Sequence, residues 1–145
     1  MKISTKGRYA LRMLIDLAEH MGEGFIPLRD ISARQGISKN YMEQIMPLLS
    51  KSGMLKTSRG FQGGYKLASA PSNYTVGSIL RLTEGSISPV SCLEENADEC
   101  IQAPTCCTLE VWRGLEEVIT DYLEGITLQD ILDRQTSLAE PEYII

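Results

Sequence analysis

Residues 28–67 read LRDISARQGISKNYMEQIMPLLSKSGMLKTSRGFQGGYKL. Leu28, Ile31 and Ser32 recur at helical spacing and the pattern stops at Gly36, which predicts a short helix. Ser38 then stands as an N-cap for a second helix over Lys39–Lys51, closed by Gly53. Its expected buried side is Tyr41, Met42, Ile45, Leu48 and Leu49. Helix, tight glycine-bearing turn and helix within about 25 residues make a helix-turn-helix layout. Pro47 is discordant, because proline inside a helix removes a hydrogen bond and costs on the order of 3 kcal/mol. Either the helix kinks there or packing overrides the cost. The groove-entering part would be its N-terminal part, Lys39 to Gln44, ahead of the proline.

Directly after this pair, Met54–Arg59, Gly60–Gly64 and Tyr65–Leu67 read as strand, glycine-rich turn and strand. A β-hairpin in that position is a wing. Lys56, Arg59 and Lys66 place cations on it, while Gly60 and Gly63 permit close backbone approach and positive φ.

Upstream, Tyr9, Leu11, Met13, Leu14, Leu17, Ala18 and Met21 give one apolar face to a helix from about Thr5 to Met21, ended by Gly22-Glu23-Gly24. Downstream, Pro71-Ser72-Asn73 breaks the chain, and Thr75 caps a helix through about Thr83 with Val76, Ile79 and Leu80 inward. Residues from Glu84 to Thr108 have no sustained period and are expected to be a loop. Val111, Trp112, Leu115, Val118, Ile119, Tyr122 and Leu123 then form one helical stripe, opposed by Glu110, Arg113, Glu116, Glu117 and Asp121. Gly125 ends this helix, and Thr127 caps a short one over Leu128–Asp133. The expected fold is mainly α with a small β-hairpin wing. Its parts are a winged helix-turn-helix domain at 1–85, a cysteine-bearing loop at 86–108, a long dimerisation helix with a short C-terminal helix at 109–135, and an extended tail at 136–145. A stripe of about four turns needs a partner. A two-fold mate supplies one and would set two recognition helices about one turn of DNA apart.

Charge divides the chain in the same way. The net charge is −5, but residues 1–66 hold 11 of the 14 Lys and Arg and are net +6, whereas residues 67–145 are net −11. Such asymmetry suits one part facing a polyanion and another that does not. The composition, 43% hydrophobic and 23% charged, is that of an ordinary globular protein. No apolar run reaches the roughly 20 residues of a membrane span, and the opening Met1-Lys2-Ile3-Ser4-Thr5-Lys6 lacks a signal-peptide core. The expected location is cytoplasmic, without membrane contact. No G-x-S-x-G, P-loop or H-E-x-x-H is present, and the single histidine, His20, is expected at the surface, so catalysis is not expected. A winged helix that binds only protein is the better rival, and salt-dependent binding to duplex DNA separates the two.

Cys92, Cys100, Cys106 and Cys107 are the only cysteines. In a cytosolic protein such clustering points to a metal or redox site rather than a disulfide framework.

Several stretches together resemble the Rrf2 family of small winged-helix repressors. They are Met1–Ala10, Ile37-Ser38-Lys39-Asn40-Tyr41-Met42-Glu43-Gln44, the wing Arg59–Tyr65, and Glu84–Val90. The resemblance runs from Met1 to about Asp133. It implies a dimeric, sequence-specific DNA-binding transcriptional regulator, a repressor, acting on an imperfectly palindromic operator in double-stranded DNA. It further implies that Ser38, Asn40, Tyr41 and Glu43 lie at the DNA-facing end of the recognition helix and that Arg59, Gly60 and Gly63 form the wing. Asn40 suits an adenine edge and Glu43 a cytosine amino group, while Lys39 and Lys56 suit phosphates. For Tyr41 the alternative is a ring packed under the helix.

Cys92, Cys100 and Cys106 are spaced C-x7-C-x5-C. Iron–sulfur and nitric oxide sensors of the family carry three cysteines in this loop at similar spacing. The resemblance therefore implies an iron–sulfur cluster, two-iron or four-iron, on one triad per subunit, for which thiolates are apt ligands. The sequence departs from the family at two places. Leu109 stands where such relatives carry a histidine, and Arg8 where others place a carboxylate. Cys107 and Glu110 are candidates for a fourth ligand, with Cys107 otherwise a free thiol. Zinc is disfavoured because no C-x2-4-C knuckle is present. A thiol switch joining Cys106 or Cys107 to Cys92 or Cys100 is another option. Finally, the chain ends Tyr143-Ile144-Ile145. The family's cysteine-metabolism repressors have a comparable tail and act with cysteine synthase, so an apolar terminus with a free carboxylate suggests that enzyme as a partner.

Overall fold

The computed structural model describes residues 1–139. Six α-helices and one antiparallel hairpin follow in the order α1 (Thr5–Glu19), α2 (Leu28–Gln35), α3 (Lys39–Lys51), β1 (Leu55–Ser58), β2 (Gly64–Leu67), α4 (Val76–Glu84), α5 (Leu109–Glu124) and α6 (Leu128–Ala139). This is the mainly α, winged architecture expected. Tyr143, Ile144 and Ile145 lie outside the described residues.

The caps explain where the helices begin. Ser4 Oγ accepts from the Gly7 amide, Ser38 Oγ from Tyr41 and Thr75 Oγ1 from Ser78. Each hydroxyl satisfies one of the amides that an α-helix leaves orphaned at its start. Ser4 also donates through both its amide (3.1 Å) and its hydroxyl (2.6 Å) to Glu84 Oε1, tying the start of α1 to the end of α4.

Pro47 lies within a continuous α3. It is exposed, whereas Met42, Ile45, Met46 and Leu49 on the opposite side are fully buried. Burying four such side chains contributes about 1.5–3 kcal/mol each, which outweighs the proline's penalty of about 3 kcal/mol. Tyr41 and Leu48 are only half-buried, and Met46 takes the inward place. The main core gathers these residues with Met13, Leu14 and Leu17 of α1, Ile31 of α2, Leu55 and Leu67 of the hairpin, and Ile79 of α4.

The hairpin pairs Leu55 with Leu67 and Ser58 with Gly64. A segment the sequence reading left unassigned anchors it. Ile26 donates to the Tyr65 carbonyl (2.8 Å) and accepts from the Tyr65 amide (2.9 Å), so the α1–α2 connection forms a one-residue third strand. Gly64 has a reason here: a Cβ on it would stand 2.2 Å from the Ile26 carbonyl oxygen.

Two expectations at the C-terminus are corrected. The last helix does not stop at Asp133, and residues 136–139 are not an extended tail; α6 runs to Ala139. No glycine or proline interrupts this stretch, and Thr136 and Ser137 hydroxyls donate back to the carbonyls of Leu132 and Asp133 at 3.1 Å. Nor does α6 group with α5 away from the winged domain. Leu128 is fully buried in the main core, and the Val76 amide donates to Ile126 O (2.8 Å) while the Leu128 amide donates to Tyr74 O (3.0 Å). By contrast α5 contains no buried residue. Val111, Leu115, Val118 and Tyr122 are all exposed, and they fall on one stripe. Among the described residues no helix is long and apolar enough to cross a membrane.

Candidate nucleic-acid interface and cysteine loop

One face of α3, from Lys39 to Ser50, and the wing line an open cleft of about 510 Å³. Lys39, Glu43 and Pro47 line one wall, and Arg59, Gly60, Phe61 and Gly63 the other. The side chains of Lys39, Asn40, Glu43, Lys56 and Arg59 are exposed and point no charge into the core. Asn40 and Lys56 do not line the cleft. Ser38 is engaged in capping α3 (3.2 Å to the Tyr41 amide). The Tyr41 ring stands edge-on to Tyr9 at 5.3 Å between centroids and is half-buried against α1. The ammonium of Lys66 lies 4.6 Å from the centroid of the Phe25 ring, which holds that cation at the base of the wing. Gly60 has φ +102, a conformation that a side chain would strain, and it turns the wing tip.

Among the cleft residues that the sequence did not single out as contacts, two stand out by their chemistry. Arg29 lines it from the first turn of α2, and Phe61 from the wing tip. Both carried a signal: a cation beside the helix-turn-helix, and an aromatic ring in a glycine turn.

A polar clamp fixes α2 on α1. The Asp16 carboxylate is fully buried, and Arg34 donates to both its oxygens at 2.8 and 3.0 Å, while Gln35 Nε2 donates to Oδ2 at 3.0 Å. The fork geometry suits a guanidinium. The Asp16 partnership raises the pKa of Arg34 further above its ordinary value. Arg12 completes the network by donating to the Gln35 side chain (3.3 Å) and carbonyl. His20 is half-buried rather than on the open surface, with Nδ1 2.8 Å from the Asp16 carbonyl oxygen.

Cys92, Cys100, Cys106 and Cys107 are all exposed and free, on the segment between α4 and α5. Cys92 sits in a short 3-10 turn at Ser91–Leu93, and Cys106 follows another at Ala103–Thr105. The donor set suits iron in kind, since thiolates are soft ligands. The geometry is not assembled: among the described residues no three His, Cys, Asp or Glu side chains stand close enough to hold one metal ion. Cys106 Sγ lies 3.5 Å from Thr108 Oγ1, and hydrogen bonding by Thr108 lowers the pKa of this thiol. The loop is tied down at its start. Ser88 Oγ donates to Glu116 Oε1 of α5 (2.5 Å) and approaches the Leu93 carbonyl (3.3 Å). Arg8 is exposed with its guanidinium on Thr5, and Leu109 opens α5 half-buried.

The family model described as "Rrf2: Iron-dependent Transcriptional regulator" matches residues 3–134. The HTH-type transcriptional regulator IscR of Erwinia tasmaniensis is 38% identical over 138 residues, which are 95% of this chain and 82% of that protein. IscR of Pectobacterium carotovorum is 37% identical over 138 residues, 95% of this chain and 83% of its own. Among solved structures, IscR of T. potens superposes with a TM-score of 0.77 at 36% identity, covering 98% of this chain and 93% of that one. CymR, the global cysteine regulator of B. subtilis, superposes with a TM-score of 0.75 at 37% identity, covering 92% and 98%. These relatives are regulators of transcription and not enzymes. With the wing, the helix-turn-helix and this similarity in hand, the chain belongs to the Rrf2 family of DNA-binding transcriptional regulators.

Proposed function

We propose that this protein is a homodimeric cytoplasmic repressor that binds an imperfectly palindromic operator with α3 and the wing and senses iron–sulfur status through its cysteine loop. One observation carries the reading of DNA: one face of α3 and the wing share one cleft with Lys39, Glu43 and Arg59 on its walls. Lys39 and Lys56 hold phosphates, and Asn40 and Glu43 read base edges in the major groove. Ser38 sets the start of the helix through its cap, and Tyr41 braces it on Tyr9. Two subunits join along the stripe of α5. The winged domain at 1–85, the loop at 86–108 and the helical region beyond it divide reading, sensing and dimerisation, with α6 packed back on the reader.

Cys92, Cys100 and Cys106 are the residues that hold the cluster, two-iron or four-iron, and zinc is disfavoured for want of a knuckle. A bound cluster would supply a centre sensitive to oxidants and nitric oxide. Because the three thiols are not gathered in the chain by itself, binding must order the loop. Ser88 and Glu116 connect that loop to α5, and so to the dimer. Cys107 and Glu110 remain the candidates for the fourth ligand. The test is to purify the protein without oxygen and assay iron and acid-labile sulfide in wild type, Cys92→Ala and Cys106→Ala. Matched iron and sulfide in wild type only is expected. A wild type that holds neither element after reconstitution would remove this half of the proposal.

A second reading rests on the similarity to CymR and on the lowered pKa of Cys106. In it, Cys106 or Cys107, together with Cys92 or Cys100, passes two electrons to a peroxide-type oxidant, and the pair loses two protons and forms a disulfide. The terminal Tyr143, Ile144 and Ile145 would meanwhile engage cysteine synthase. A truncation lacking these three residues that bound that enzyme as well as the full chain would exclude the tail's part.

A further inference from the structure

The tip of the wing carries the most exposed large apolar side chain of the described residues. Phe61 is 99% exposed. A single exposed apolar side chain is ordinary at a protein surface and does not by itself mark a partner. The ring nevertheless lines the cleft shared with Lys39 and Glu43, next to Arg59. The turn that carries it is built rather than loose. Gly60 adopts φ +102, its carbonyl accepts from Gly63 at 3.0 Å, and Tyr65 is bonded on its far side to Ile26. Lys66 is drawn away onto Phe25, so the tip offers one cation and one aromatic ring.

We propose that Phe61 is a specificity-determining contact of the wing, entering the minor groove of the duplex beside the segment read by α3. This rests on the DNA-reading proposal above and deepens it. The charge distribution favours a nucleic acid over an apolar protein partner, since Phe61 lies in the part of the chain that is net +6. Apolar side chains at minor grooves act as wedges. They contact sugar faces or partly unstack a base step, at a cost that depends on how easily that step deforms. Arg59 draws the tip to the groove by charge, and Phe61 then discriminates by deformability. The preferred flank is rich in A·T pairs and contains a flexible pyrimidine–purine step.

The experiment uses the full-length protein and a duplex selected by wild type from a random pool. Affinity is measured over a series of salt concentrations for wild type, Phe61→Ala, Phe61→Leu and Arg59→Ala. Because Phe61 touches no core, circular dichroism should be unchanged in both Phe61 variants. The expected loss for Phe61→Ala is about tenfold with an unaltered salt slope, since no phosphate charge is removed. Phe61→Leu retains most of the affinity. Arg59→Ala loses affinity and reduces the salt slope by about 1. Replacing the flanking A·T pairs by G·C lowers wild type to the level of Phe61→Ala and leaves that variant unmoved. Equal affinity of wild type and Phe61→Ala overturns the proposal while the DNA reading stands. A ring that serves contact between protein copies would show as a changed oligomeric state in Phe61→Ala, and that too overturns it. Absence of salt-dependent duplex binding by wild type itself is the failure of the underlying reading instead.

Discussion

Arg34 of α2 grips both oxygens of Asp16 of α1, at 2.8 and 3.0 Å, and the carboxylate it grips is wholly shielded from water. This pair sets the seat of α2, and α2 in turn sets the angle at which α3 is presented. Removing one partner of a buried ion pair leaves an uncompensated charge or polar group and costs about 3–5 kcal/mol. Arg34→Ala should therefore lose about 3 kcal/mol in urea unfolding, because it leaves the buried Asp16 carboxylate without its cation, with Gln35 Nε2 still bonded to Oδ2. A loss below about 0.5 kcal/mol would show that the clamp contributes little.

Pro47 should be dispensable for folding. It is exposed on α3, and its replacement restores the amide that the Glu43 carbonyl lacks. Pro47→Ala is expected to stabilise the protein by about 1–3 kcal/mol, read as a higher thermal midpoint. A lower midpoint would mean that the ring has a packing role not evident from its exposure.

Glu124 links the start of α4 to the end of α5. The Thr75 hydroxyl donates to Glu124 Oε2 at 2.7 Å, Arg81 pairs with the other oxygen, and these contacts, Thr75 first, hold the carboxyl below its ordinary 4.5. A folded pKa below the unfolded one gives stability that is full above the unfolded value and is lost as pH falls through the folded value. Glu124→Gln should narrow its stability gap to wild type as pH falls below about 4.5. Both partners of the ion pair are more than a third exposed, so the whole effect should stay below about 1 kcal/mol. A gap that widened with acid would reverse the sign and contradict the assignment.

The dimer proposal concentrates on the α5 stripe. Val118 is 66% exposed in the single chain and midway between Leu115 and Tyr122. A lysine there would bury an unpaired charge in the proposed interface. Val118→Lys should sediment as a monomer and bind the operator far more weakly, with the helical content of the monomer preserved. A dimer that survived this change would place the contact elsewhere.

The elements legible in the sequence were those whose signals are local. Ser38 and Thr75 announced α3 and α4 because a cap is read within three residues. The wing followed from its glycines, and the α5 stripe from its period. What depended on distant contacts was harder to see. Nothing near Ile26 indicates that it would pair with Tyr65, since a one-residue strand has no period. Asp16 resembles a surface residue of an amphipathic helix until Arg34 and Gln35 come over it. Helix α6 was expected to end at Asp133 for want of a sustained period beyond it, yet it runs to Ala139 with the Thr136 and Ser137 hydroxyls bonded backward along the helix. Composition marked the cysteine loop, but spacing alone does not say whether three thiols meet.

The most direct test of the account is the affinity of one selected operator duplex for the protein before and after anaerobic iron–sulfur reconstitution, with Cys92→Ala treated in parallel. The account predicts that reconstitution changes the wild-type dissociation constant by at least about fivefold, the lower end of typical coupling between sites. The same treatment should leave Cys92→Ala unchanged. Tight operator binding that is identical in the two forms, or that shifts equally in Cys92→Ala, would contradict the claim that the cysteine loop controls the DNA-reading helices.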